Sequence, residues 1–164
     1  MNLTELKEFR RAVLIPGLAL LPEKMRTIPA QIQLLAIGLQ ESRLIHQKQI
    51  GGPAVGLFQF ESGGGIKGVL EHNLTKDLAA RTCKMLNILP IRQDVYAALQ
   101  QSGPSMDVLD VVFARLLLYT DPYPLSSIKT HEDAWAYYVR TWRPGKPHRD
   151  TWDAFHALAQ QACA

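Results

Sequence analysis

The residues whose types and order suggest chemistry lie in "AIGLQESRLIHQKQIGGPAVGLFQFESGGG". A single carboxylate, Glu41, follows the apolar run "LLAIGL", and about fifteen residues later comes "GPAVGLFQF". A carboxyl held against apolar side chains is penalised in its charged form, so its pKa rises. An acid still protonated near neutrality can give its proton to a leaving oxygen. The glycine-punctuated stretch adds backbone freedom through Gly52 and Gly56, which would let main-chain groups approach a ligand closely. Phe58 offers a surface that can stack on an apolar sugar face, and Gln59 offers an amide that both donates and accepts hydrogen bonds. An acid, an aromatic platform and an amide together suit a polysaccharide groove. The plainer reading of Glu41 alone is a solvated residue at the end of a helix.

Helices must position these groups. The first is expected over 4–14, stopped by Pro16-Gly17. A stronger one starts at Thr27 or Ile28, with Pro29 in its first turn where a missing N–H costs nothing. Ile32, Leu35, Ala36 and Leu39 mark one buried face, and Glu41-Ser42-Arg43 falls on the last turn. Residues 46–68 hold seven of the eleven glycines and read as a loop, or as one short irregular hairpin around "AVGLFQF". Helical pattern resumes over 73–88, capped by Asn73 or Thr75, and further helices are expected over 92–101, 106–119, 131–142 and 148–162. Thr130 with Asp133 resembles a capping box, Asp107 opens one helix and Asp121-Pro122 closes another. The expected fold is mostly α, a single domain over 1–164 with six or seven helices and at most a small irregular hairpin.

Several other motifs fail. His46, His72, His131, His148 and His156 contain no HExxH pair and none has ligand spacing from a cysteine, so no metal is expected, and no cofactor. Gly63-Gly64-Gly65-Ile66-Lys67-Gly68 matches GxGxxG by letter, and Gly51 and Gly56 have phosphate-loop spacing. Both motifs work only between a strand and a helix of a βαβ unit, which this chain lacks. The pair 92–101 and 106–119 could imitate a helix-turn-helix, but its second member, "MDVLDVVFARLLLY", is apolar and acidic and would not read a DNA groove. No nucleic-acid partner is expected. No Ser-His-Asp set stands out, because Ser42 sits beside Glu41 and not on a strand-to-helix elbow.

The bulk numbers agree. The chain has 164 residues, 47% hydrophobic and 20% charged, with a net charge of +3 and a pI near 9.0. No apolar stretch reaches membrane-spanning length, so no membrane insertion is expected. The N-terminal "MNLTELKEFRRAVLIPGLALL" lacks the features of a secretion signal, which implies synthesis in the cytoplasm. Cys83 and Cys163 are too few for a disulfide scaffold; reduced thiols are the default, and a single bridge is the alternative.

"GLQESRL" followed by "GPAVGLFQF" resembles the "ESxx…GAxGLMQ" signature of soluble lytic transglycosylases and goose-type lysozymes. The match covers about a fifth of the chain. It implies a lysozyme-like fold, peptidoglycan glycan strands as substrate, and cleavage of the β-1,4 bond between N-acetylmuramic acid and N-acetylglucosamine. On this resemblance Glu41 is the catalytic acid, and Ser42 is the adjacent hydroxyl that bonds the acid or nearby backbone. Gly56-Leu57-Phe58 precedes the groove amide Gln59. A tyrosine from a later helix, Tyr138, Tyr137 or Tyr119, stands near the acid, and Tyr138 with nearby Trp142 is favoured. Two departures are plain: Phe58 replaces the commoner Met, and the family's "YNAG"-like segment is not recognisable unless "YYVRTWRPG" replaces it.

A single-carboxylate transglycosylase needs only Glu41, whereas a hydrolytic lysozyme needs a second acid, for which Glu61 is the candidate. "FARLLLYTDPYPL" and "AWAYYVRTWRPGKP" are also similar to small wall-degrading or virion proteins of tailed phages. That likeness implies action at the cell wall, in the periplasm as an endolysin or as part of a phage particle beside other virion proteins. Trp135, Trp142 and Trp152 read as core anchors, with Trp142 the exception because cationic "RTWRPGKPH" follows it. Arg143, Lys146, His148 and Arg149 could line an approach for anionic groups, or form a solvated connection. Two rivals belong to other classes: a virion protein that binds glycan without cleaving it, and a helical adaptor whose Glu41 and glycine loop are incidental.

Overall fold

The computed structural model describes residues 1–49 and 51–164. They form a single compact, mostly helical domain with no strand or sheet among them. The helices are α1 (Leu3–Phe9), α2 (Ile15–Ala19), α3 (Ile28–Ser42), α4 (Lys67–Glu71), α5 (Lys76–Met85), α6 (Arg92–Leu99), α7 (Pro104–Tyr119), α8 (His131–Trp142) and α9 (Arg149–Cys163). Only isolated antiparallel bridges, Lys48 with Val55 and Val55 with Phe60, mark the hairpin expected around "AVGLFQF".

Two boundaries differ from expectation. Pro16-Gly17 does not stop the first helix. A π-helical turn over Arg10–Leu14 joins α1 to α2, so Pro16 falls in the first turn of the next segment, where its missing N–H is harmless. Gly17 earns its place sterically, because a Cβ there would stand 2.7 Å from Val111 Cγ1 on α7. The second difference lies in the glycine-rich stretch read as loop. Ser62–Ile66 forms a π-helical turn that leads into α4, and Ile66 and Val69, three apart, are both buried. The three glycines hide that short apolar face from a periodicity reading.

The helix that carries Glu41 is central rather than one-sided. All of Leu34–Leu39 is buried, and α3 packs most extensively against α9. Its polar residues are mainly glutamines, and one of them, Gln33, donates Nε2 to the Ala134 carbonyl at 2.9 Å inside the core. Thr27 caps α3, its Oγ1 accepting the Ala30 N–H, with Pro29 in the first turn. At the other end Arg43 and Leu44 both take left-handed backbone, φ 61° and 57°. That double turn folds Leu44 back so that its N–H reaches the Gly38 carbonyl at 3.2 Å. A side chain at Gly38 would meet Leu44 Cδ2 at 2.1 Å, so this reversal depends on glycine.

The capping box at α8 forms as the sequence predicts, with Thr130 accepting from Asp133 N–H and Asp133 accepting from Thr130 N–H. Trp152 on α9 is fully buried and stacks on Tyr138 of α8, ring centroids 4.9 Å apart at 14°. Cys83 and Cys163 are both free thiols. None of the described helices is long and apolar enough to cross a membrane.

Candidate active site

One cleft of about 1300 Å³ runs over the end of α3, the hairpin loop and the end of α8. Glu41, Gln59, Phe60, Glu61, Tyr138 and Trp142 are all in its wall. Glu41 gets there because α3 ends one residue later, which leaves its carboxyl at the rim of the core instead of within it. Burial pushes that carboxyl up from 4.5 to about 7, partly opposed by a hydrogen bond from Tyr138.

Tyr138 is 2% exposed and donates its hydroxyl to Glu41 Oε1 at 2.6 Å. Desolvation, and next the Glu41 carboxylate, raise the phenol far above its ordinary value, so it stays a donor. The other tyrosines considered serve elsewhere. Tyr137 donates to the Leu118 and Tyr123 carbonyls, and Tyr119 lies beneath the Arg115 guanidinium.

The loop 55–60 closes on itself through Val55 and Phe60, which exchange N–H to carbonyl bonds at 2.9 and 2.7 Å, and through the Gln59 N–H on the Gly56 carbonyl at 3.1 Å. Groups of Leu57 and Phe58 are gripped from outside. Ser42 Oγ donates to the Leu57 carbonyl at 2.6 Å and accepts the Leu44 N–H at 3.1 Å. Trp142 Nε1 donates to the Phe58 carbonyl at 3.0 Å. From α7 the Asp110 carboxyl accepts the Leu57 N–H.

Two expected ligand contacts, Phe58 and Gly56, are therefore corrected, and Ser42 takes the backbone partner of the two expected for it. Ser42 is 4% exposed and bonds backbone, not substrate or Glu41. Phe58 is 0% exposed, its ring 6.4 Å from that of Trp142, so it packs the core and offers no face to a sugar. Its position follows from the αL turn at Gly56, φ 78°, which directs the next two side chains inward. Gly56 is itself buried and comes close to Asp110 rather than to a ligand.

Gln59 does reach the cleft. Its backbone is left-handed, φ 53°, and its Nε2 donates to the Gly56 and His46 carbonyls at 2.9 and 3.3 Å. Both amide hydrogens are thus committed, and Oε1 is the atom left for a ligand. Trp142 presents the aromatic surface instead of Phe58, with its ring 5.8 Å from that of Phe60.

Arg143, Lys146 and His148 line the same cleft, and so does Arg140, which is paired to Asp121 at 2.6 Å. Arg149 lies outside the lining and pairs with Asp153 and Glu132. Glu61 is exposed in the lining. Of the histidines, His156 is buried and meets His131, Nδ1 to Nδ1, at 2.7 Å.

The sequence reading missed Asp110 altogether. Its only signal was a lone acid inside the apolar "LDVVFARLLL", which reads equally well as a helix's polar face. No family model, curated protein or solved structure matches the chain.

Proposed function

We propose that this protein is a peptidoglycan-degrading enzyme of lysozyme-like type, cleaving the β-1,4 bond between N-acetylmuramic acid and N-acetylglucosamine as a lytic transglycosylase. One observation carries the reading: a buried carboxyl in the wall of the cleft, held by a tyrosine and raised to about 7 by burial. Such an acid is half protonated at neutral pH, the condition for general acid–base work.

In this mechanism Oε1 of Glu41 stays on the Tyr138 hydroxyl and Oε2 carries the proton. Glu41 protonates the bridging oxygen, and the C1–O bond breaks as the leaving sugar departs with that proton. The Glu41 carboxylate then takes the proton from the 6-hydroxyl of the muramic acid residue, whose oxygen bonds to C1. A 1,6-anhydro ring results, no water is consumed, and Glu41 ends protonated again. Gln59 Oε1 accepts from a sugar hydroxyl or acetamido N–H, and Trp142 supplies the stacking surface. Action at the cell wall, and a tailed-phage origin, belong to the same proposal and rest on sequence likeness alone.

Glu61 in the same cleft supports a second reading, a hydrolytic lysozyme in which it activates water. E61Q separates the two: a hydrolase loses most of its activity, and a transglycosylase keeps it. Clearing of purified peptidoglycan by the wild-type protein and by E41Q tests the proposal as a whole. Loss of clearing in E41Q is expected. Clearing by E41Q at the wild-type rate would overturn it.

A further inference from the structure

Asp110 is 1% exposed in the middle of α7, where Leu109–Leu116 are all buried. No ion pair among the described residues involves it, and its Oδ1 has no hydrogen-bond partner. Burial pushes its carboxyl well above the usual carboxylate range. A carboxyl in this position is costly to fold around, and an apolar residue would stabilise the core better. Costly residues of this kind persist where they do something other than stabilise.

What Asp110 does is local. Its Oδ2 accepts the Leu57 N–H, and the Phe58 N–H also points to the carboxyl. One turn earlier Asp107 Oδ1 accepts from Gln47 Nε2 at 2.9 Å, and the Gln47 carbonyl accepts the Gly56 N–H at 2.8 Å. The same face of α7 thus holds both arms of the hairpin, Gln47 on one and Gly56–Phe58 on the other. Gly56 fits over the carboxyl only as glycine, because a Cβ would stand 2.5 Å from both Asp110 oxygens. Ser42 and Trp142 hold the carbonyls of Leu57 and Phe58, and Asp110 supplies the acceptor for the Leu57 N–H. Three backbone groups, the Leu57 N–H and the Leu57 and Phe58 carbonyls, are then fixed from three helices, immediately before Gln59.

We infer that Asp110 is a positioning residue: its buried carboxyl fixes the Gly56–Phe58 backbone so that the Gln59 carboxamide stands in the cleft wall, and it acts on substrate binding without touching substrate. The kinetic side of this inference rests on the muralytic reading above; the backbone side does not.

D110A and D110N, compared with wild type, test it by two readouts. In D110A, amide hydrogen exchange at Leu57 and Phe58 should accelerate about 100-fold while α3 and α9 amides stay slow. On peptidoglycan its KM should rise about tenfold with kcat changed less than about threefold, because Glu41 and Tyr138 are held by α3 and α8. D110N keeps one acceptor oxygen without charge and should recover most of both losses. A purely structural Asp110 would instead lower the active fraction, and so kcat, at constant KM. Wild-type exchange at Leu57 and Phe58 in D110A, or an unchanged KM, overturns the inference. If D110A does not fold, G56A displaces the same contact from the other side, and an unchanged KM there overturns it equally. Should the wild-type protein prove inactive on peptidoglycan, the enzymatic reading fails, and the exchange rates alone decide the role of Asp110.

Discussion

Tyr138 on α8 donates a 2.6 Å hydrogen bond to Glu41 on α3, two residues 97 positions apart in the chain. The bond closes the base of the cleft between two helices that other contacts already fix. Tyr138 stacks on Trp152 of α9, and α9 packs along α3. The tyrosine is therefore held before any ligand arrives, and so is the carboxyl oxygen it binds.

This bond lowers the Glu41 pKa against the larger upward effect of burial. Y138F should accordingly move the alkaline limb of the kcat/KM profile to higher pH, since an acid without its donor keeps its proton longer. The loss of orientation should cost about tenfold or more in kcat/KM, the scale of a hydrogen bond to a charged group. A pH–rate series on purified peptidoglycan checks both effects, and a limb displaced to lower pH would contradict this account of the site.

The same raised acid predicts a stability effect with a definite sign. Glu41 has a folded value near 7 against an ordinary 4.5, so the folded protein holds a proton that the unfolded chain has released. That stabilisation is complete below pH 4.5 and is lost as pH rises through 7. E41Q carries no charge at any pH and keeps the acceptor for Tyr138. It should melt roughly 5 °C above wild type at alkaline pH, the equivalent of about 2 kcal/mol, with the difference vanishing in acid. Calorimetry across that range reads it directly.

Ser42 should matter to the fold and not to the chemistry. S42A leaves the buried Leu57 carbonyl without its donor and should cost about 1–3 kcal/mol in denaturant unfolding. The alkaline limb of the rate profile should stay where it is, because Ser42 does not touch Glu41.

W142F separates two roles of one residue. It removes the Nε1 donor to the Phe58 carbonyl but keeps an aromatic ring in the cleft, and should cost about 1 kcal/mol of stability. W142A removes the ring as well and should cost several times more. If the ring also stacks on sugar, KM rises much further in W142A than in W142F.

How far the sequence revealed the site depends on whether a residue's role is local. The helix with Glu41 on its last turn, the apolar approach and the capping box at Thr130 are all local patterns, and each is found in the fold. Gln59 follows from its place after a glycine-rich turn. Phe58 was misread because side-chain direction depends on the αL turn at Gly56, and that turn sits against the Asp110 carboxyl on a helix 54 residues further on. For Ser42 the sequence left two partners open, the acid or nearby backbone, and the fold takes the backbone because the helix phase turns the hydroxyl toward Leu57. The α1–α2 continuation and α4 were missed because proline and glycine signal breaks, whereas π-helical turns absorb them.

The most direct measurement is mass spectrometry of the products released from purified peptidoglycan, with E41Q as control. The account predicts fragments ending in 1,6-anhydro-N-acetylmuramic acid, absent from the E41Q digest. Reducing ends would replace the transglycosylase with a hydrolase, and intact polymer from the wild-type protein would contradict the account outright.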